Sequence, residues 1–283
     1  MRVVVFYRLC VFGRSFRSGS GNRSRCFERS AVFVNQRSFP PLRKPCLPAW
    51  PLQSGSHHVI KSHSADREHA EAVAALRSID VEWQSLIDHV GSCLHPVSAA
   101  QDPFQALVKA VAYQQLHARA GDAMVRRLRA LFLDDSLAEV SFPGAQALVD
   151  LDDQALRSCG FSASKCRAIK AIAAARLDGL VPEVSAALAM GNEALVERLI
   201  QLPGVGRWTV EMMLIYGLGQ LDVMPASDFG VCEGYRRLYA LQLKPSHRQM
   251  ARLAERFAPY RTIAAWYLWR VPVDFSELGS SRI

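Results

Sequence analysis

The stretch "LPGVGRWTVEMML", residues 202 to 214, sets Gly204 and Gly206 two positions apart and places Trp208 two residues beyond the second. Glycines at that spacing allow backbone angles and a close approach that a Cβ would forbid. Pro203 stops the helix before them and the next helix begins near Arg207, so they join a helical pair. The amides of Gly204, Val205 and Gly206, backed by the N-terminus of the second helix, could lie directly against a phosphate. A plain turn between two helices uses the same residues, and the spacing alone favours that simpler role. Twenty residues after Trp208, "LDVMPASDFGVCEGYRRLYAL" puts Asp228 behind a proline and at the start of another helix. Taken alone, that carboxylate is a helix cap.

These residues are positioned by a chain that is helical in pattern from about residue 66 onward. In "DPFQALVKAVAYQQL", Asp102 can cap and Pro103 occupies the first helical position, with Phe104, Leu107, Val108 and Val111 on one face. "SASKCRAIKAIAAARL" opens on capping serines and repeats Ile169, Ile172 and Ala173 at helical spacing. The segments "NEALVERLIQL", "GRWTVEMMLIYGL", "FGVCEGYRRLYAL", "SHRQMARLAERFA" and "TIAAWYLWRV" continue in the same way, and no segment alternates as a strand. The fold class expected is all-α, a compact multi-helix body with short Gly- and Pro-marked connections.

Of 283 residues, 34 are Lys or Arg and 26 are Asp or Glu, a formal net charge of +8. That excess is local. Residues 1–65 carry 11 basic residues against the single acid Glu28, while the remainder holds 23 against 25. Net basicity therefore says nothing about what the folded body binds, and only local features can speak to that. Residues 1–65 read as a basic, disordered N-terminal extension, rich in Arg, Ser and Pro, and residues 66–283 as the folded domain. Such an extension also has the composition of an organelle transit peptide, or of upstream sequence from a misassigned start. Arg8 breaks the apolar run too early for a secretory signal. A basic arm could add salt-sensitive attraction to phosphates. The seven cysteines include no CxxC pair and read as reduced thiols, several of them core residues. No apolar run is long enough to cross a membrane.

"LPGVGRWT" followed by "DVMPASD" resembles the helix-hairpin-helix (HhH-GPD) base-excision DNA glycosylases, in particular the 3-methyladenine DNA glycosylase II (AlkA-like) branch. The resemblance runs over nearly all of residues 100 to 271 and takes in "DPFQALVKAVAYQQL", "GFSASKCRAIKAIA" and "PYRTIAAWYLWR" in family order. It implies two helical lobes with the active cleft between them, acting on damaged double-stranded DNA as a monomer. The work would be intracellular, on DNA, in the cytoplasm or nucleoid or in a eukaryotic nucleus. The implied activity is monofunctional base excision: an alkylated base is flipped out and its N-glycosidic bond hydrolysed to leave an abasic site.

The resemblance also implies roles. Asp228 would be the catalytic carboxylate that stabilises the positive charge developing on the sugar. Trp208 stands where strand-nicking relatives carry a nucleophilic lysine, and its indole would instead line the pocket and stack on an electron-poor base. Met212, one turn on, and Tyr260 would line the same pocket; both are equally suited to ordinary core. Leu116 would be the wedge filling the gap left by the flipped base, with Gln115 beside it, although Leu116 could also be the last core residue of its helix. Gly204, Val205, Gly206, Arg207 and Lys165 would contact phosphates, a solvated helix face being the alternative for the two basic residues. The carbonyls of Ile200, Leu202 and Val205 could hold a structural Na+ or K+ ion; no cofactor is expected for catalysis, and no cysteine cluster follows residue 232 to carry an iron–sulfur centre. The other functions considered are a hairpin module that binds DNA without chemistry and a glycosylase for another base lesion. The first needs the glycines but not Trp208 and Asp228. A bifunctional enzyme for oxidised bases needs a lysine at 208.

Overall fold

The structure, a computed structural model, describes residues 63–95, 100–132 and 142–275. Most of the basic extension, and so its expected disorder, falls outside the described residues. Thirteen α-helices make up the described part, which contains no strand. Helix α1 (His63–Arg77) begins three residues inside the stretch assigned to the extension.

Two hydrophobic cores organise the helices. The first gathers α3 (Pro103–Tyr113), α4 (Ala118–Ala130), α5 (Ala145–Asp150), α6 (Asp153–Ser158), α7 (Ala163–Leu177), α8 (Val184–Ala189), α9 (Asn192–Leu199) and α10 (Arg207–Tyr216). The second gathers α1, α2 (Val81–Val90), α11 (Phe229–Leu238), α12 (His247–Leu253), a 3-10 turn (Ala254–Phe257) and α13 (Arg261–Leu268). Helices of six residues such as α5, α6 and α8 do not persist alone in water, because nucleation costs more than so few hydrogen bonds return. Packing holds them: each fully buried Leu or Ile, such as Leu148, Leu156, Ile169 and Ile172, contributes roughly 2 kcal/mol of apolar burial.

The local signals in the sequence set the helix ends. Asp102 accepts a hydrogen bond from the Phe104 amide at 2.8 Å with Pro103 at the first helical position, and Phe104, Leu107, Val108 and Val111 are buried. Ser162 caps α7, and Ile169, Ile172 and Ala173 lie on its inner face. Of the cysteines in the described residues, Cys159, Cys166 and Cys232 are buried and Cys93 is half-buried, all as free thiols.

Close approach between α11 and α13 brings Trp269, just past the end of α13, against the start of α11. A Cβ added at Gly234 would sit 1.9 Å from the carbonyl oxygen of Leu268, and one at Gly230 would sit 2.8 Å from Cδ1 of Trp269 and 3.1 Å from Asp228 Oδ1. Two glycines four residues apart therefore form one smooth stripe on α11, against which the end of α13 lies. Replacing Gly234 with Ala forces backbone apart, and denaturant titration should find it destabilised by about 1–3 kcal/mol despite the better helix propensity of alanine. Gly144→Ala, where a Cβ meets nothing within 4 Å, should lose at most about 1 kcal/mol, the scale of a weakened helix cap.

Candidate active site

Asp228 caps α11 through Oδ1, which accepts from the Val231 amide at 2.9 Å. The same oxygen accepts from the indole Nε1 of Trp269 at 2.8 Å, and Oδ2 accepts from Nε1 of Trp208 at 2.8 Å. Indole N–H groups can only donate, so the carboxylate receives three hydrogen bonds from groups that cannot take its place as acceptor. Trp208 comes from the first turn of α10 and packs on the first core, while Trp269 follows α13 and packs on both cores. The carboxylate thus stands where the two lobes meet. All three side chains are partly exposed there.

Tyr216, at the end of α10, stacks on Trp269 with ring centroids 6.2 Å apart and planes 24° from parallel. Sequence reasoning picked out neither Trp269 nor Tyr216. The signal for Trp269 was the Gly230 and Gly234 pair, whose bare face lets the indole reach Asp228.

The hairpin is pinned from below. Leu202 and Val205 are buried, Leu202 N donates to Leu199 O, and Val205 N donates to Leu202 O. Gly204 has φ +77°, and a Cβ there would lie 2.7 Å from the Ala168 Cβ, so the fold itself requires this glycine. Gly206 differs. Its φ is −94° and a Cβ would meet nothing within 4 Å, so internal packing places no demand on it. The carbonyls of Ile200 and Val205 take no backbone hydrogen bond among the described residues, while that of Leu202 accepts from Val205.

Gln114, overlooked in the sequence, ties α3 to the hairpin: its Nε2 donates to Gly204 O at 3.0 Å and to Thr209 Oγ1 at 2.9 Å. The next residue, Gln115, adopts φ +57°, a left-handed conformation that costs a non-glycine residue energy. This turn throws Leu116 outward, 44% exposed, rather than into the core that helical periodicity allowed.

Lys165 is committed inside the protein. Its Nζ donates to Ala112 O at 2.8 Å and Gln114 O at 3.0 Å, neutralising the carbonyl end of α3 beneath the Leu116 turn, and burial lowers its pKa. The end of α3 leaves carbonyls that need a donor, and two of the three ammonium donors of Lys165 meet that need. Arg207 is exposed and forms a bidentate pair with Glu193 at 2.8 and 3.0 Å. Met212 is buried in the first core, and Tyr260 lies half-buried against the second. Each of these two side chains packs on the core of its own lobe.

A two-lobed helical body with a glycine hairpin on one lobe and a helix-capping aspartate on the other, joined by an indole, defines a class of base-excision DNA repair proteins. Residues 108–259 match the HhH-GPD superfamily base excision DNA repair protein family, and the chain belongs to that superfamily. It is 40% identical over 196 residues to DNA-3-methyladenine glycosylase 1 of Schizosaccharomyces pombe, covering 69% of this chain and 84% of that protein. It is 34% identical over 209 residues to the alkylbase DNA glycosidase-like protein mag2 of the same yeast, covering 74% and 96%. A solved S. pombe 3-methyladenine DNA glycosylase in complex with abasic DNA matches with a TM-score of 0.65 at 40% identity, over 71% of this chain and 95% of that one.

Glu211, one turn beyond Trp208, is a second carboxyl near this cleft. It is 6% exposed, its Oε1 lies 4.0 Å from Arg207 Nη1, and its Oε2 has no hydrogen-bond partner among the described residues. Burial pushes its pKa up from 4.5 to about 7; Arg207 opposes the shift, while Glu193 and Asp228 add to it. Between pH 4.5 and about 7 the folded chain keeps a proton that the unfolded chain has released, so this group makes stability fall as pH rises through that window. Glu211→Gln should match wild type near the bottom of the window and exceed it by roughly 3 kcal/mol above it, measured by denaturant titration at several pH values.

Proposed function

We propose that this chain is a monofunctional alkylbase DNA glycosylase that removes damaged bases from double-stranded DNA in base excision repair. The observation that carries this reading is the Asp228 carboxylate held between Trp208 and Trp269, with an indole at the place where a strand-nicking enzyme needs an amine. The 40% identity to a DNA-3-methyladenine glycosylase supports the alkylated-base class of substrate. Such a substrate makes its working place the nucleoid or, in a eukaryote, the nucleus, where it would act as a monomer.

A stacked base is out of reach, so the nucleotide leaves the helix and its gap is filled by Leu116, presented outward by the strained turn at Gln115. The duplex is gripped through phosphate contacts to the amides of Gly204, Val205 and Gly206. A Na+ or K+ ion on the carbonyls of Ile200, Leu202 and Val205 would add a positive charge at that grip and takes no part in the chemistry. As the N-glycosidic bond breaks, positive charge grows on the sugar and the fixed Asp228 carboxylate stabilises it; a water molecule then completes the hydrolysis. The edge of Trp208 is spent on Asp228. Its ring face is left to stack on an electron-poor base.

Asp228→Asn keeps the shape and loses the charge. It should lower single-turnover release of alkylated purines at least ~1000-fold, while binding to lesion DNA stays within roughly tenfold. Release at near-normal rate by this variant, measured by mass spectrometry of free bases, would remove Asp228 from the mechanism. The wild-type product should be an intact strand that breaks only on alkali treatment.

Gly206→Ala offers an independent test of the phosphate grip. With open space around its Cβ, the variant should keep its stability within about 1 kcal/mol, the scale of a helix-cap change. Its affinity for duplex DNA should fall about tenfold or more in fluorescence anisotropy, because the methyl group holds the phosphate off the amides.

A further inference from the structure

Residues 229–252 hold five Lys or Arg against the single acid Glu233, a net +4 within a folded body whose 23 basic residues are outnumbered by 25 acidic ones. Two of the five are engaged internally, since Arg236 and Arg237 both close on Glu233 at 2.8 and 3.0 Å. Lys244 is exposed and forms no ion pair among the described residues. Its Nζ lies instead 4.3 Å from the ring centroid of Phe229. Phe229 directly follows Asp228 as the first residue of α11, and it is 66% exposed. Adjacent Cα atoms are only about 3.8 Å apart, so this residue stands beside the reacting carboxylate. The ammonium shares that neighbourhood. Cys232, one turn into α11, has its pKa raised first by burial, then raised further by Asp228 and lowered by Lys244.

An exposed phenyl ring with an ammonium over it is complementary to a nucleic-acid backbone, in which an apolar deoxyribose face adjoins an anionic phosphate. The cation–π contact keeps the ammonium near the ring without neutralising its charge, and the ring loses its exposure to water once a sugar packs on it. With the damaged nucleotide's sugar at Asp228, the strand that carries it passes over the residue next in sequence. We propose that Phe229 and Lys244 form a docking surface for the damaged strand, with the Phe229 ring against the deoxyribose next to the extruded nucleotide and the Lys244 ammonium on the phosphate between the two. Neither contact reads a base, so the surface holds the strand whatever the lesion and the flanking sequence. Together with the hairpin amides on the other lobe, it would hold the backbone on both sides of Asp228.

The proposal rests on the glycosylase reading, and the test separates the two. Full-length wild type is compared with Phe229→Ala, Lys244→Gln and the charge-conserving Lys244→Arg. Thermal melting follows folding, and mass spectrometry counts released bases. Fluorescence anisotropy at several salt concentrations follows binding to a duplex with an abasic site and to one with an alkylated purine. Phe229→Ala and Lys244→Gln should melt with wild type and bind about fivefold or more weakly, by the same factor for each duplex. Lys244→Gln should also flatten the slope of log affinity against log salt by about one, the mark of one lost phosphate contact, and Lys244→Arg should restore it. Wild-type affinity and salt slope in Lys244→Gln, or wild-type affinity in Phe229→Ala, overturn the proposal and leave the glycosylase reading intact. A drop in melting temperature that accompanies the weaker binding marks a packing role and overturns it as well. A wild-type protein that binds neither duplex and releases no base overturns both.

Discussion

The carboxylate of Asp228 and the two indoles that donate to it form the contact on which the rest of the site depends. One indole belongs to the lobe of the hairpin and the other follows the last helix of the opposite lobe, so a single carboxylate links two separately built cores. Donors that cannot accept fix both its position and the direction of its lone pairs. Charge stabilisation in a transition state requires this kind of preorganisation, since a carboxylate that had to reorient would lose part of its effect. The glycine stripe on α11 serves the same contact, because a side chain at 230 or 234 would push the end of α13, and Trp269 with it, away.

The hairpin shows how two identical residues two positions apart can answer to different demands. Gly204 is required by the chain itself, through a left-handed φ and the Ala168 methyl against it. Gly206 has ordinary angles and open space around it, so no packing within the chain requires its bareness. Beneath the same surface, Gln114 and Lys165 hold the end of α3 and so set the turn that exposes Leu116. Two residues whose types suit DNA contacts act here as internal struts.

Buried polar atoms without hydrogen-bond partners among the described residues, Glu211 Oε2 and the ring nitrogens of His95, are a third feature. Glu211 follows Trp208 by three residues on α10 and His95 packs against Tyr216 at the end of that helix, and both shift toward their neutral forms because burial penalises charge. Each weakens the folded state of the free protein.

The sequence by itself determined the all-α class, the starts of α3, α7 and α10, the glycine hairpin and the cap at Asp228. Those features follow from periodicity, breakers and capping residues, which act over one or two helical turns and are written locally. Tertiary structure alone decided which side chains meet Asp228. Trp269 is 41 residues away and reaches it only because α11 and α13 approach closely, and Tyr216 becomes part of the wall only through Trp269. It also decided that Lys165 faces carbonyls, that Met212 faces the core, and that Leu116 does not. Helical spacing leaves several faces open to each of these residues, and only the packing of one helix against another selects among them.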